Sequence, residues 1–211
     1  MTTLKTILEQ FFDLTQESLP SWLSSSVSEN NAELKSYLWK TDSCYKIRLC
    51  ELCVQNKFHA ESLVIYPQLN YETPIFGTEY LKIGKNKYFA AIDFHPITEN
   101  QEFMEFLEHF PDKIKLHSKF YDLNRFFSKK LWMRRKNEEF YNEYQIMVKC
   151  FLHQYKKCLE KSEMKSNSFH LNHCDYNRHM STNDPAYGIL KSYFGNQFAE
   201  DYIHKFLFSN K

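Results

Sequence analysis

ESLVIYPQLNYETPIFGTEYLKIGKNKYFAAIDFHP, residues Glu61 to Pro96, decides the fold. Three runs rich in β-branched and aromatic residues are separated by turn chemistry. Glu61 to Tyr66 reads as a strand stopped by Pro67, and a turn follows at Asn70 to Thr73. Pro74 to Ile83 is extended, broken at Gly77 and closed at Gly84. Lys87 to Phe94 is a third strand that ends at Pro96. Connections this short join antiparallel neighbours, because a parallel pair needs a crossover of roughly a dozen residues or more.

Outward from that stretch, Glu33 to Lys40 and Tyr45 to Val54 alternate as strands, and Leu131 to Arg134 reads as a last one. Ser24 to Asn31 is a polar loop. Leu4, Ile7, Leu8, Phe11 and Phe12 recur at helical spacing, so the first 15 residues predict an amphipathic helix. Glu99 to Phe110 reads as a short helix ended by Pro111. Phe140, Tyr144, Met147, Phe151, Tyr155 and Leu159 mark one face of a long helix over 137–161. Glu163 to Ser168 is a polar linker, Asn183-Asp184-Pro185 opens a short helix, and Gln197 to Phe206 makes the last one. Strands clustered in the first half, with helices at both ends, argue for an antiparallel sheet covered by helices rather than a βαβ series. Neither an internal repeat nor a domain linker interrupts the chain, so residues 1–211 read as one α+β domain.

The 211 residues are 43% hydrophobic and 25% charged with net charge +1, which suits a buried core and gives no global field for nucleic acid. Aromatic residues reach 17%, as coding bias or a large flat apolar pocket would produce. The N-terminus lacks the pattern of a signal peptide, and no run approaches the roughly 18 apolar residues that span a bilayer; the expected location is the cytoplasm. With only four glycines, neither G-x-G-x-x-G nor the P-loop can be built. Cys50 and Cys53 form one C-x-x-C, but residues three apart on a strand face opposite sides, and no second pair completes a zinc ribbon. His170 and His173 sit in a polar stretch that reads as a solvated loop. No metal site is expected, and electrons for any redox chemistry must come from outside.

Two stretches carry a resemblance. In the first, Tyr66-Pro67 precedes Tyr71-x-x-Pro74-x-Phe76-Gly77. In the second, Asn183-Asp184-Pro185, Tyr193-Phe194-Gly195 and the terminal Phe206-Leu207-Phe208 follow in order. With FFSKKLWMRR (Phe126 to Arg135), they resemble the ferredoxin-dependent bilin reductases over most of the chain after about Tyr45.

The resemblance implies a three-layer α/β/α sandwich with a central antiparallel sheet. Biliverdin IXα would bind between the sheet and the C-terminal helices. A monomer with no permanently bound cofactor would take single electrons from a [2Fe-2S] ferredoxin, reducing the pigment through bilin radicals. Adding an electron to a conjugated tetrapyrrole makes it more basic, and a buried carboxylic acid with a raised pKa can then deliver a proton. Asp184 matches the family's C-terminal acid. Glu79 stands where the family usually has Asp, one methylene longer.

Ser62 occupies the position where phycocyanobilin-forming relatives carry His, which favours phycoerythrobilin, formed through 15,16-dihydrobiliverdin, over phycocyanobilin. A phycocyanobilin-forming enzyme, a two-electron reductase and a non-catalytic bilin carrier are the alternatives. Glu51, Ser62, Arg134 and Asn183 are the implied substrate contacts, with Arg134 near the propionates. Lys129, Lys130, Arg135 and Lys136 read as a docking patch for acidic ferredoxin, or as a solvated charged face. Asp93 reads as structural, bonded to a turn, and His59 should face away from Ser62.

Overall fold

The computed structural model describes residues 3–95, 101–110, 120–123, 125–162 and 170–209. Helix α1 (Leu4–Phe11) leads into short strands β1 (Thr15–Gln16) and β2 (Ser26–Glu29). Long strands follow: β3 (Ala32–Lys40), β4 (Cys44–Val54), β5 (Phe58–Pro67), β6 (Ile75–Ile83) and β7 (Lys87–His95). After α2 (Gln101–Leu107) come β8 (Trp132–Lys136), α3 (Tyr141–Lys161), α4 (His170–Asn183), α5 (Ala186–Phe194) and α6 (Asn196–Asp201), which runs on into a π-helical turn, Tyr202–Leu207. The eight strands form one antiparallel sheet in the order β1-β3-β4-β5-β6-β7-β8, with β2 also pairing with β3. This is an α+β fold.

Each face of the sheet carries its own core. Alternate residues such as Ile47, Leu49, Leu63, Phe76 and Phe94 pack with Leu4 and Ile7 of α1 and with Phe151 and Tyr155 of α3. The other parity, including Leu52, Val64, Tyr66 and Ala91, packs with Tyr176 of α4 and with Ile203 and Phe206 of the π-helical turn. A period-2 strand between two apolar layers sends successive side chains into different cores, which is why β4, β5 and β7 read as nearly continuous apolar runs.

Several sequence expectations shift. The loop over Ser24 to Asn31 contains β2, which pairs Ser26 to Glu29 with β3. The final strand lies one to two residues later than its apolar start. The long helix begins at Tyr141, after the N-cap Phe140. The last helix splits at Asp201 into α6 and the π-helical turn. The Glu163 to Ser168 linker, Pro96 and Pro111 lie outside the described residues.

Helix α4 is the one helix that sequence reasoning missed, beside the short strands β1 and β2. His173 is therefore no solvated loop residue: it is 2% exposed, and its Nδ1 lies 3.2 Å from the Tyr45 hydroxyl. The buried stripe of α4 is His173, Tyr176, Asn177 and Met180, a helical spacing in which two of the four residues are polar. Asn177 Oδ1 accepts a hydrogen bond from Tyr66 at 2.8 Å, so the partners that make the burial affordable come from distant strands.

Gly77 shows how closely the second face is packed. A Cβ there would lie 2.3 Å from His95 Nε2. The imidazole cannot step aside easily, because its Nδ1 is 2.9 Å from the Phe126 carbonyl and its ring packs against Phe127 and Tyr176. Gly77→Ala is expected to destabilise by about 1–3 kcal/mol, as overpacking does. For a chain of this size that is a fall of roughly 2–12 °C in the melting temperature, readable by a thermal melt; an unchanged melt would mean that His95 relaxes freely.

Candidate active site

Register builds the site. On the face toward α4 and α5, Cys50 pairs with Ser62, Ser62 with Glu79, and Glu79 with Ala91, so the four lie in one row across β4 to β7. The next row runs from Arg48 through Val64 and Gly77 to Asp93. Above these rows sits the junction of α4 and α5, where Asp184 lies between the two helices. Its Oδ1 accepts the Ala186 N–H at 2.8 Å, so the carboxyl caps the start of α5 while also facing the sheet.

Two adjoining lobes share Ser62, Glu79 and Asp184. The larger lobe encloses about 300 Å³ and is lined mainly by apolar groups, among them Leu52, Phe58, Ala60, Leu81 and Ile189. The smaller lobe is about 60 Å³ and adds Arg48, Asp93, His95, Tyr121 and Tyr176. A concave apolar slot with a few convergent polar groups is the usual form of a small-molecule site.

The acids are tuned by burial. Desolvation first, and then the nearby charge of Asp184, push the Glu79 carboxyl up to about 7. Tyr121 donates to Glu79 Oε1 at 3.2 Å, which opposes that rise. Burial also raises Asp184, against the Ala186 N–H and the Arg48 charge, which lower it. Asp93 is raised well above the carboxylate range by burial. It accepts Ser128 N–H at 2.8 Å, the turn contact expected of it, yet it also lines the smaller lobe. Burial pushes the His95 imidazole down to about 4, so the ring is neutral near pH 7. Close acids whose affinity for protons is raised by a water-poor cavity are what stepwise proton delivery requires.

The expected substrate contacts divide. Ser62, Glu79 and Asp184 meet as anticipated. Glu51 does not: one residue along β4 from Cys50, it points to the opposite face, where burial and then Glu61 raise its carboxyl. Tyr141 donates to both oxygens of that Glu61 at 2.9 and 2.7 Å. His59 lies on the same far side, 3.6 Å from Glu61. Cys50, rather than Glu51, is the neighbour of Ser62.

Arg134 is likewise on the far face, with its guanidinium over Trp132 and its Nε 3.8 Å from Glu143. Arg135, next along β8, stands on the cavity face over Phe89. Period-2 alternation therefore exchanges the two arginines. Asn183 donates to the His179 carbonyl at 2.8 Å and is not a cavity residue. In the expected docking patch, Lys129 and Arg135 are exposed, whereas Lys130 pairs with Glu108 and Lys136 with Glu143. Arg48, Asp93, His95 and Tyr121 were not among the predicted site residues. A charged residue inside the apolar run of β4, Lys46-Ile47-Arg48-Leu49, was the available signal.

An antiparallel sheet between two helical layers, with buried acids meeting in a slot under its C-terminal helices, has the form of an enzyme site that binds a small molecule and holds protons away from water. The model of the family "Ferredoxin-dependent bilin reductase" matches residues 1–209, and the chain belongs to that family; it is a ferredoxin-dependent bilin oxidoreductase. It is 28% identical to the 15,16-dihydrobiliverdin:ferredoxin oxidoreductase of Nostoc punctiforme, over 96% of this chain and 91% of that one. The enzyme of the same name from Gloeobacter violaceus is 27% identical over the same shares. Among solved structures, phytochromobilin synthase from tomato in complex with biliverdin superposes with a TM-score of 0.80 at 19% identity, covering 98% of this chain and 82% of that one; this likeness concerns the fold.

Proposed function

We propose that the protein reduces biliverdin IXα at the C15=C16 bond, giving 15,16-dihydrobiliverdin, with one electron at a time from a reduced [2Fe-2S] ferredoxin. Two electrons and two protons add across that bond, and each electron leaves one ferredoxin oxidised. The observation that carries the reading is the placement of Glu79 on the sheet and Asp184 at the α4–α5 junction, both lining the same slot and both held toward their protonated forms. Each electron makes the pigment more basic, and a facing acid then releases its proton to carbon. Passage through bilin radicals follows from one-electron delivery. The relatives named for 15,16-dihydrobiliverdin support the choice of bond.

A second reading continues the reaction by two more electrons and two protons to phycoerythrobilin. The presence of two tunable acids, with Ser62 beside Glu79 where an imidazole would favour vinyl reduction, favours it. In either case Arg135, on the cavity face of β8, is the candidate partner for a propionate, since a guanidinium pairs with a carboxylate in bidentate geometry. Lys129, Lys130, Arg135 and Lys136 around β8 form the proposed ferredoxin surface. Anaerobic turnover with biliverdin and reduced ferredoxin, followed by chromatography, separates the outcomes. Accumulating 15,16-dihydrobiliverdin supports the first reading, its conversion to phycoerythrobilin the second, and phycocyanobilin as sole product overturns both.

A further inference from the structure

Arg48 is the least expected residue in the cavity. It is 1% exposed, one of the largest fully buried side chains, and it lines the smaller lobe together with Ser62, Glu79 and Asp184. Its direct contacts are neutral groups: Nη1 is 4.0 Å from the Cys50 sulfur, and its guanidinium lies over the Phe208 ring at 4.9 Å, while the Lys46 ammonium and the Asp184 carboxyl act on it through space. Its Nε has no hydrogen-bond partner, and among the described residues no carboxylate lies within ion-pair distance. A guanidinium keeps its proton at any working pH, so the cavity holds a permanent positive charge. Burying such a charge unpaired is costly, and a hydrophobic residue of similar volume would serve the core better. The three acids that line the lobe with it, Glu79, Asp93 and Asp184, are all shifted toward neutrality by burial. Among the side chains lining this lobe, Arg48 is the one whose charge is fixed at any working pH.

We propose that Arg48 faces the bound bilin and stabilises the negative charge that the pigment gains with its electron, so that this side chain sets the reduction potential of the substrate in the site. The proposal rests on the bilin-reducing function and adds to it a residue that acts on the electron rather than on the proton. In the step concerned, reduced ferredoxin is oxidised by one electron and the neutral bilin becomes a radical anion. Its charge is balanced by Arg48 until Glu79 or Asp184 releases a proton to it. A fixed charge aimed at a developing charge in a water-poor site needs no reorganisation at the moment of reaction.

The test is a spectroelectrochemical titration of the biliverdin complex, without ferredoxin, for the wild type, Arg48→Met and Arg48→Lys. Arg48→Met is expected to disfavour the reduced complex at least tenfold, a fall of about 59 mV for one electron, with biliverdin affinity changed less than threefold. Arg48→Lys keeps the charge and should hold the potential within a threefold equivalent of wild type. Thermal melts accompany both variants, and Arg48→Met should melt no lower than wild type, since it removes an unpaired buried charge. An unchanged potential in Arg48→Met overturns the proposal, as does a loss of biliverdin affinity with the potential preserved, which would make Arg48 a binding site for a substrate carboxylate. A wild type that binds no biliverdin would instead strike at the functional reading, and the two failures are told apart by which protein shows them.

Discussion

Asp184→Asn is expected to slow bilin reduction by about 10²–10⁴-fold, the range typical for loss of a positioned acid, while biliverdin still binds. The substitution is close to isosteric. Asn retains an oxygen that can accept the Ala186 N–H, now bonded at 2.8 Å, so the cap on α5 survives and the helix junction keeps its shape. What is lost is the transferable proton. The first electron can still enter, because its source is outside the chain, but the charged pigment then waits for a proton that the side chain no longer holds. Stopped-flow absorption under anaerobic conditions should show a reduced intermediate that builds up and decays slowly. Product formation at the wild-type rate would remove Asp184 from the chemistry and leave it a helix cap alone.

Glu79→Gln is expected to raise stability at pH 8 while abolishing most activity. Burial and the neighbouring Asp184 lift this carboxyl from 4.5 to about 7. Between those two values the folded protein holds a proton that the unfolded chain has released. The native state therefore binds more protons there, and stability falls as pH rises through the window. Above pH 7 the protein carries an ionised carboxylate in a poor solvent, at a cost on the order of 3 kcal/mol. Glutamine never ionises, so the variant escapes that cost.

The expected gain at pH 8 is roughly 4–12 °C in the melting temperature, shrinking toward zero as the pH approaches 4.5, where the wild-type acid is neutral as well. Melts of the two proteins at pH 5 and pH 8 measure the difference directly. A variant less stable than wild type at both values would mean that Glu79 is held by hydrogen bonds, not strained by burial. The same titration predicts that wild-type reduction slows as pH rises past about 7, because the donor is then already ionised. A residue that burdens the fold at alkaline pH is thus one that the proposed reaction needs, a common relation between stability and activity.

Much of the site was legible because its residues sit in local motifs. Asn183-Asp184-Pro185 and Phe76-Gly77-Thr78-Glu79 can be read without knowing what lies across the cavity, and both acids proved to line it. Glu51 and Arg134 show where such reading stops. Each is adjacent in sequence to a residue on the cavity face, Cys50 and Arg135, and a strand's alternation turns a displacement of one residue into a change of side. Helix α4 was missed for another reason: His173 and Asn177 interrupt its buried stripe, and the groups that satisfy them, Tyr45 and Tyr66, lie more than a hundred residues away.

By itself the sequence determined the long strands β3 to β7, helices α1 and α3, and the antiparallel pairing of β5, β6 and β7, because periodicity and turn residues are local properties of the chain; the two acids of the candidate site were legible because they sit in short motifs that resemble a family's. The tertiary structure alone decided which face of the sheet each strand residue serves, that Arg48, Asp93 and His95 converge on one lobe, and how far burial lifts the acids. Those outcomes depend on register between strands and on the exclusion of water by helices folded over them. Neither exists until distant segments meet.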